Sequence, residues 1–593
     1  MSQPDVIATP TRHELPFCPA AFDTLTTALD YAAQGATGTN FYTGRGHLYA
    51  AVSYAELRRQ ALALSGKLLG LGLQPGDRVA LVAETDPDFI RFFFACQYAA
   101  LVPVALPASV KVGAHHAYVA QLQLLLEACD AAVGVASAGY LPFLREASAG
   151  LSMRMVDAPQ AFDALPAAAQ ALPQIEPRDI AYIQYTSGST RFPRGVVITH
   201  QSAMANLRGM IAHGLMMNAR DRMLSWLPFY HDMGLVGFVL VPMAAQVSVD
   251  YLDTREFAMR PRQWLHLMTQ TRATISFAPS FGYDLCARRV RSSDLGSYDL
   301  RHWRVAGIGA EMIRPETLAY FSELLEPCGF DRRAFLACYG MAECTLGVSF
   351  SPLWTGFTTH CIDSDHLADH HQAVLLDEND RGGRGRHFVN CGKLLPDFEV
   401  QIRDDDDRVL PDWHSGVIYL RGPSVMSGYF NLPEESRNAL SPDGWLNSGD
   451  IGYLADGVLT ITGRKKDLII IHGRNIWPQD LEHIAESQME VRSGDAVAFA
   501  VPDHEGQECC VLLVQCRDTD ASRRNNLIRR LTALLRMELS LDCYVELVPV
   551  HSLPRTSSGK LSRAKARLDF INSHGTAPLE AVADQPRLKV GSG

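Results

Sequence analysis

The first hundred residues alternate between two kinds of hydrophobic pattern. Apolar residues recur at helical spacing over Ser53–Leu69, which opens with a serine followed three residues later by an acid, a capping-type start. A Pro-Gly-Asp turn leads into an apolar strand, Arg78–Ala83. A second helical pattern covers Asp86–Ala100, and Val102–Leu106 is an apolar run typical of a buried strand. This order predicts an α/β fold, with a mostly parallel sheet wrapped by helices.

The pattern changes in the second half of the chain. From Gly392 to Leu420 short alternating strands surround the acidic run Asp404–Asp407. Four aspartates could suggest a metal site, but nothing nearby completes a coordination shell. The pattern therefore predicts antiparallel strands with a solvated hairpin tip.

Length and composition set the broad class. A chain of 593 residues is too long for one core, so two or more domains are expected. The net charge of −11 argues against a general nucleic-acid surface. The 13 cysteines show no C-x-x-C pairs, and the adjacent Cys509 and Cys510 are poor candidates for a structural bridge. We expect reduced thiols and a cytoplasmic protein.

No targeting or membrane-spanning segment is predicted. The first twenty residues are polar and proline-rich, without an apolar core typical of a leader. One long uncharged run, Met233–Val249, contains Pro242 and Gln246 and falls short of the roughly 20 apolar residues that a spanning helix needs. We expect it to be a core segment. The tail from about Asn572 to Gly593 has the composition of a disordered segment.

The segment that points most clearly to a function runs from Tyr185 to His200 and reads YTSGSTRFPRGVVITH. Thr186–Thr190 consists of hydroxyl-bearing residues and glycine, and Arg191 and Arg194 follow. Glycine lets the backbone approach a ligand, successive N–H groups attract anions, and arginines offer forked donors to phosphate oxygens. The segment predicts a polyphosphate cradle rather than a Ser/Gly-rich surface turn. It lacks the Gly-Lys-Ser/Thr ending of the Walker loop.

This segment resembles the phosphate-binding signature of the adenylate-forming superfamily, which includes acyl-CoA synthetases, nonribosomal peptide adenylation domains and luciferases. The usual pattern is YTSGSTGxPKG, and here arginines replace its second glycine and its lysine. Further signatures follow in the superfamily's order, so the resemblance covers about Leu48 to Arg567. It implies a large N-terminal domain of βαβ sheets with a β-rich subdomain, and a small mobile α+β C-terminal domain. It also implies ATP contacts from Thr186, Ser187, Gly188, Ser189, Thr190, Arg191 and Arg194.

A histidine–aspartate pair lies in the segment SWLPFYHDMGLVG, Ser225–Gly237. His231 and Asp232 precede an apolar run, which predicts a strand-to-helix junction. The resemblance makes His231 a catalytic residue at the mouth of the acyl pocket, near the reacting carboxylate. Asp232 caps the following helix or orients His231. A structural His–Asp pair and an ammonium-binding aspartate, as in amino-acid adenylation domains, are the other interpretations.

Two further segments resemble the adenine site of the superfamily: Val305–Glu311 (VAGIGAE) and Cys338–Thr345 (CYGMAECT). By that resemblance Tyr339 stacks on adenine and Glu343 holds Mg²⁺. A lone carboxylate suits this ion, which keeps waters and takes other oxygens from phosphates. The remaining AMP contacts implied are Gly309, Ala310, Glu311, Gly340, Met341 and Ala342. The last of these departs from the superfamily, where most members have threonine.

The ribose and hinge signatures come next. Ser448–Asp450 reads SGD, and Gly463–Asp467 reads GRKKD. The resemblance implies that Asp450 accepts hydrogen bonds from both ribose hydroxyls, a bidentate task that suits a carboxylate. It implies that Arg464 reaches ribose and phosphate, and that Asp467 is the hinge between the domains. A surface aspartate beside a basic turn is the alternative.

Pro554–Lys560 reads PRTSSGK and matches the superfamily's catalytic-lysine loop. A carboxylate that attacks the α-phosphate meets like-charge repulsion. Lys560 would lie between the two anions and neutralise the charge of the transition state. A lysine after Ser-Ser-Gly in isolation is usually only solvated, but this one follows Arg464 in the superfamily's order.

Several segments resemble fatty acyl-AMP ligases more than CoA ligases. They read FYHDMG, APSFGYDLC and WRVAGIGAEMIRPET, and after the hinge LIIIHGRNIWPQDLE. CoA ligases usually have a lysine where Ile470 stands. Ser351–Phe388 matches the extra segment that is thought to restrain rotation of the small domain in that subfamily. One departure is Ile308, where relatives more often have asparagine.

These resemblances imply an enzyme that uses ATP and Mg²⁺ to convert a medium- or long-chain fatty acid into acyl-adenylate and pyrophosphate. The acyl group then passes to the phosphopantetheine thiol of an acyl carrier protein or of a carrier domain of a synthase. The predicted domains are 1–466, with 351–388 as the candidate insertion, and 467–593. The alternatives are a fatty acyl-CoA ligase, an amino-acid adenylating enzyme and a catalytically dead adenylate-binding protein.

Overall fold

The computed structural model describes residues 9, 15–108, 115–168, 171–186, 194–376, 385–471, 474–492, 494–502, 508–539, 541–556 and 560–574. The strands described are β1 Gly38–Tyr42, β2 Leu48–Ser53, β3 Arg78–Val82, β4 Val102–Leu106, β5 Ala131–Val135, β6 Met155–Asp157, β7 Ile180–Tyr185, β8 Gly195–Thr199, β9 Arg222–Ser225, β10 Ser248–Leu252, β11 Ile275–Ala278, β12 Val305–Ile308, β13 Phe335–Gly340, β14 Gly347–Phe350, β15 Thr359–Asp363, β16 Gly385–Val389, β17 Lys393–Leu394, β18 Glu399–Arg403, β19 Gly416–Arg421, β20 Leu446–Ala455, β21 Val458–Arg464, β22 Ile469–Ile471, β23 Arg474–Ile476, β24 Ala496–Pro502, β25 Glu508–Gln515 and β26 Cys543–Val548. The α-helices described are α1 Leu25–Ala32, α2 Tyr54–Gly70, α3 Pro87–Tyr98, α4 His115–Ala128, α5 Leu141–Ala147, α6 Pro159–Asp163, α7 His200–Gly209, α8 Asp232–Leu235, α9 Val241–Ala244, α10 Thr254–Met259, α11 Arg262–Thr271, α12 Ser280–Ala287, α13 Pro315–Leu325, α14 Ser364–His370, α15 Pro433–Ala439, α16 Pro478–Glu486, α17 Ala521–Leu539 and α18 Arg563–His574.

The elements predicted for the first hundred residues are present. The hydroxyl of Ser53 accepts the Glu56 amide at 3.1 Å and starts α2. Asp86 starts α3 in the same way, with its carboxylate accepting the Phe89 amide at 2.9 Å. Strands β3 and β4 pair in parallel over their full lengths. Local capping and hydrophobic period therefore agree with the tertiary fold in this region.

Two mostly parallel sheets form the larger part of the molecule. One has the strand order β17-β14-β13-β12-β11-β9-β10-β1-β2, and its central strands are parallel. The other has the order β6-β5-β3-β4-β7-β8 and is parallel except for its last pair. The predicted α/β class is confirmed. Because ligands bind beyond the carboxyl ends of parallel strands, these ends are where a site is expected.

The strands predicted after Gly392 form an antiparallel sheet of order β18-β19-β20-β21. The acidic run lies in an exposed turn beside β18, where the Asp404 carboxylate accepts the amides of Asp406 and Arg408, each at 2.9 Å. Charged side chains of the same turn, such as Arg408, neutralise part of this cluster. The run is a solvated tip, as predicted.

Buried apolar residues form separate cores. The largest spans residues from Ala20 to Leu459 and includes most of Met233–Val249, which is a core segment as expected. Another is built from residues between Ile469 and Leu547. All 13 cysteines are free of disulfides. Among the described residues, no helix combines the length and the apolar character needed to cross a membrane.

Candidate active site

A cavity of about 1200 Å³ lies beyond the carboxyl ends of strands from both parallel sheets. The predicted site residues that line it are Thr186, Arg194, His231, Ala310, Tyr339, Gly340, Met341, Ala342, Glu343, Asp450, Arg464 and Lys560. Ser187, Gly188, Ser189, Thr190 and Arg191 lie outside the described residues. The fold thus brings together residues that are up to several hundred positions apart in the sequence.

Three residues predicted to bind the nucleotide, Tyr339, Asp450 and Arg464, contact one another. Tyr339 at the end of β13 donates its hydroxyl proton to Asp450 Oδ2 at 2.7 Å. Arg464 at the end of β21 places Nε 3.1 Å from Asp450 Oδ1. The carboxylate is buried and fixed from both sides, which pre-organises it to accept further hydrogen bonds from a diol.

The predicted metal ligand, Glu343, occupies a short helical turn after β13 and lines the same cavity. Burial raises the pKa of its carboxyl above the usual range. Its Oε1 accepts a hydrogen bond from the hydroxyl of Tyr429 at 2.9 Å. A carboxylate that lines the same cavity as Arg194 fits Mg²⁺, a hard cation that takes oxygen ligands. Sequence analysis missed Tyr429, which lies in a loop without distinctive spacing.

Lys560 reaches the cavity from the loop before α18. Its Nζ donates to the carbonyl oxygen of Ala310 at 2.5 Å. Burial lowers the pKa of this lysine, and the nearby carboxylates of Glu311 and Asp232 partly offset the effect. The ammonium is therefore held against the large core by one backbone carbonyl and by two anionic neighbours.

His231 and Asp232 occupy the predicted strand-to-helix junction. Asp232 Oδ1 lies 2.6 Å from His231 Nδ1 and also accepts the Met233 amide at 2.7 Å. Burial alone would raise the pKa of Asp232, but the charges of His231 and Lys560 outweigh it and hold the pKa below its usual range. His231 rather than Asp232 is the N-cap of α8, so the capping role predicted for Asp232 is wrong. Asp232 orients His231 and occupies the first position of the helix. Because its carboxylate is already engaged by His231, it is poorly placed as the partner of a substrate ammonium.

Two predicted nucleotide contacts, Gly309 and Glu311, do not line the cavity. A Cβ on Gly309 would lie 2.8 Å from the carbonyl oxygen of Cys338, so close packing of β12 against β13 accounts for this glycine. Glu311 Oε1 accepts the Phe281 amide at 3.0 Å and so supports the start of α12. Their direct contacts with AMP stay predictions.

Comparisons with known proteins agree with this geometry. The family model described as AMP-binding enzyme matches residues 30–430. A putative acyl-CoA synthetase of Caulobacter vibrioides is 46% identical over 95% of this chain and 98% of its own length. The medium-chain-fatty-acid–[acyl-carrier-protein] ligase JamA of Moorena producens is 31% identical over 91% of this chain and 92% of its own. A solved structure from studies of fatty acyl-adenylate ligases of E. coli and L. pneumophila is 47% identical, with a TM-score of 0.90, over 94% of this chain and all of that chain.

The chain belongs to the AMP-binding enzyme family. Its adenylate-forming fold is confirmed, as is the resemblance to fatty acyl-AMP ligases that the motifs predict. The chain is thus an adenylate-forming ligase.

The half of the cavity beyond His231 is apolar in this AMP-binding enzyme. The sequence predicts that Leu235–Met243 and Phe277–Tyr283 line it, and the structure adds detail. From the two segments, the cavity-lining residues are Gly237, Phe238, Val241, Phe277 and Phe281. Tyr283 instead donates its hydroxyl proton to the Gly307 carbonyl at 2.9 Å, within the core. Further lining comes from Met210, Leu215, Met223, Trp226, Leu346 and Phe350, which sequence analysis missed.

The candidate insertion forms the hairpin β15–β16 with α14 between its strands. Its apolar residues pack on Tyr453 of β20, and α14 lies against β23. At its far end, Arg386 forms an ion pair of 2.8 Å with Asp480 of α16. By contrast, Trp354 stays 47% exposed beneath Arg333 of the large core. The insertion therefore contacts the C-terminal part of the chain through Arg386 and α14.

The predicted hinge residue is anchored by an arginine that sequence analysis did not identify. Arg563 Nη1 lies 3.0 Å from Asp467 Oδ2, and its other nitrogens bind both carboxylate oxygens of Glu482 at 2.8 and 2.7 Å. The three side chains are largely buried. This arrangement ties α18 and α16 to the residue at which the chain enters its C-terminal part.

Proposed function

We propose that this enzyme activates a medium- or long-chain fatty acid with ATP and transfers the acyl group to the phosphopantetheine thiol of an acyl carrier protein. The observation that carries the proposal is the position of Lys560 and His231, where a polar half of the cavity meets an apolar half. A nucleotide fits the first half and an alkyl chain fits the second. The names of relatives such as the long-chain-fatty-acid–AMP ligase FadD32 of Mycolicibacterium smegmatis support it.

In the first step, an oxygen of the fatty acid's carboxylate forms a bond to the α-phosphorus, and the bond to the pyrophosphate oxygen breaks. Lys560 stabilises the negative charge that builds at this point, because its ammonium is already fixed by the Ala310 carbonyl. His231, oriented by Asp232, borders the reacting carboxylate. Asp450 and Arg464 hold the ribose side of the nucleotide.

Glu343 would hold Mg²⁺, which supplies charge neutralisation on the phosphates when it is bound. Arg194 lies at the same wall of the cavity and would bind phosphate oxygens directly. The residues 187–191 would complete the phosphate site, as their composition predicts.

Transfer to a thiol would require the C-terminal part to swing about Asp467. Separate apolar cores on either side of Asp467 support a division into a large and a small domain. Contacts of the insertion with the small domain would disfavour that swing, and a carrier protein would offset the cost through contacts of its own. Free CoA lacks such a surface. Reduced cysteines and the net charge of −11 fit a cytoplasmic enzyme without nucleic-acid partners.

We expect that Arg386→Ala raises acyl-CoA formation on the order of tenfold while adenylation stays unchanged. Without the arginine, the Asp480 carboxylate loses its partner in the arrangement seen in this structure, which is thereby destabilised. The arrangement with the C-terminal part rotated for thiol transfer, where the ion pair is absent in any case, therefore gains in population. The increase in acyl-CoA formation should be smaller than the loss of a fully buried ion pair would give, because the Arg386 and Asp480 side chains are 16% and 23% exposed. Acyl-CoA formation and pyrophosphate release are measured in parallel.

Trp354→Ala is the matched control for Arg386→Ala within the same segment. Because Trp354 covers Arg333 of the large core, its loss should not raise acyl-CoA formation. An equal rise in both variants, or no rise in Arg386→Ala, would contradict the role given to this ion pair.

The second candidate function is a fatty acyl-CoA ligase, favoured by the name of the Caulobacter vibrioides relative. Amino-acid adenylation is less well supported, because Asp232 is engaged by His231. A catalytically dead binder is disfavoured by the joint presence of Lys560, Asp450 and Glu343 in one cavity.

Acid-dependent ATP–pyrophosphate exchange tests the adenylation step. We expect exchange with medium- and long-chain fatty acids and none above background with acetate or amino acids. If an amino acid supports the fastest exchange, the proposed fatty-acid substrate is wrong. If no acid supports exchange, a catalytically dead adenylate-binding protein is favoured.

A further inference from the structure

A loop after β19 runs alongside β8, the strand that follows the phosphate-binding segment. The Val197 amide donates to the Gly428 carbonyl at 3.0 Å, and the Phe430 amide donates to the Gly195 carbonyl at 2.8 Å. An antiparallel bridge joins Val196 to Tyr429 between these bonds. The loop is therefore fixed to β8, the strand that Arg194 directly precedes.

From this loop, Tyr429 touches two groups of the nucleotide site at once. Its hydroxyl donates to Glu343 Oε1 at 2.9 Å, and the guanidinium carbon of Arg194 lies 5.3 Å from its ring centroid. Earlier in the same loop, the Met426 amide donates a hydrogen bond to the Glu343 backbone carbonyl at 2.8 Å. Tyr429 is only 7% exposed, so competition from bulk water weakens neither contact.

These contacts constrain both partners. A hydroxyl donor on one carboxylate oxygen fixes the rotation of the carboxylate, in the way that outer partners orient metal ligands. A ring beneath a guanidinium holds its plane and restricts its rotamers, which lowers the cost of binding an anion.

We propose that Tyr429 is a positioning residue that holds Glu343 toward the cation and Arg194 toward the polyphosphate of one Mg²⁺–ATP complex. The proposal rests on the nucleotide chemistry of the proposed function and adds the residue that couples its metal and phosphate contacts. It does not depend on which acid or which thiol the enzyme uses.

Two substitutions separate the contacts. Tyr429→Phe removes the hydroxyl and keeps the ring, so the Mg²⁺ concentration for half-maximal ATP binding should rise about 10-fold or more. Binding of ATP in EDTA, without the cation, should change much less, because the ring beneath Arg194 stays in place. Tyr429→Leu also removes the ring, so ATP binding in EDTA should weaken about two- to fivefold in addition. Calorimetric titrations with ATP, with and without Mg²⁺, measure both effects.

Tyr98→Phe is the matched control. Tyr98 also donates its hydroxyl proton to a carboxylate oxygen, Asp30 Oδ1 at 2.7 Å, and is likewise 7% exposed. It does not line the cavity, so its loss should change neither titration.

A double-mutant cycle tests whether Tyr429 acts through Glu343. In a Glu343→Gln background, Tyr429→Phe should cause no further loss of Mg²⁺ dependence. An equal loss in both backgrounds would overturn the proposal. So would unchanged titrations in Tyr429→Phe, or a fall in Tm with ATP binding weakened equally with and without Mg²⁺. Failure of the proposed function is seen separately, as absence of fatty-acid-dependent exchange in the wild-type enzyme.

Discussion

Lys560→Ala should lower the rate of acyl-adenylate formation on the order of 10²–10³-fold while ATP binding stays nearly intact. The ammonium is fixed on the Ala310 carbonyl at 2.5 Å, beside the point where carboxylate and α-phosphate would meet in the proposed reaction. Its charge matters most when the two anions approach each other, and less for the bound nucleotide alone. The loss should therefore appear in kcat rather than in the affinity for ATP.

Single-turnover formation of acyl-adenylate, together with ATP titration, measures this effect. Lys393→Ala, an exposed lysine of β17, is the control and should behave as wild type. Near-normal adenylation by Lys560→Ala would refute the assignment of the catalytic lysine.

The second large effect is on acid selectivity. Each methylene buried in the apolar half of the cavity contributes about 0.8 kcal/mol, which corresponds to about fourfold in kcat/KM. Octanoate should therefore exceed butanoate by about 200-fold, if all four added methylenes are buried. Phe238, Val241 and Phe277 provide the apolar wall that this gain requires.

Gly237→Leu tests where the chain lies. A Cβ at Gly237 would meet the Leu346 side chain at 3.4 Å, an ordinary contact, so the rest of the larger side chain must enter the cavity. It should lower kcat/KM for dodecanoate far more than for butanoate. Equal losses for both acids would place the chain elsewhere. If an amino acid is the best substrate, the hydrophobic account is wrong and Asp232 becomes the ammonium partner.

Local patterns were sufficient for much of the fold. The caps at Ser53 and Asp86 and the strands β3 and β4 follow from short-range spacing alone. The cavity residues could not be predicted from local patterns. The motifs at Asp450 and Lys560 lie far apart in the sequence, and only the resemblance to a known superfamily assigns them to one site. Spacing by itself does not say which strand ends meet.

Other site features depend on tertiary contacts that leave no local trace. Tyr429 is a single aromatic residue in a loop, and nothing near it in the sequence points to Glu343. The pairing of Arg386 with Asp480 joins two elements across the predicted domain boundary. For the insertion, the apolar residues Trp354 and Phe357 are natural choices for a docking contact, but Phe357 packs on Phe335 of the large core instead. Hydrophobicity shows that a side chain is covered and leaves open which neighbour covers it.

The most direct test of the account is a product assay with a fatty acid, ATP and Mg²⁺, supplied with either free CoA or a phosphopantetheinylated carrier protein. We expect acyl-adenylate to accumulate in the presence of CoA and acyl thioester to form only on the carrier. Efficient acyl-CoA formation by the unmodified enzyme would contradict the account and make the protein a fatty acyl-CoA ligase.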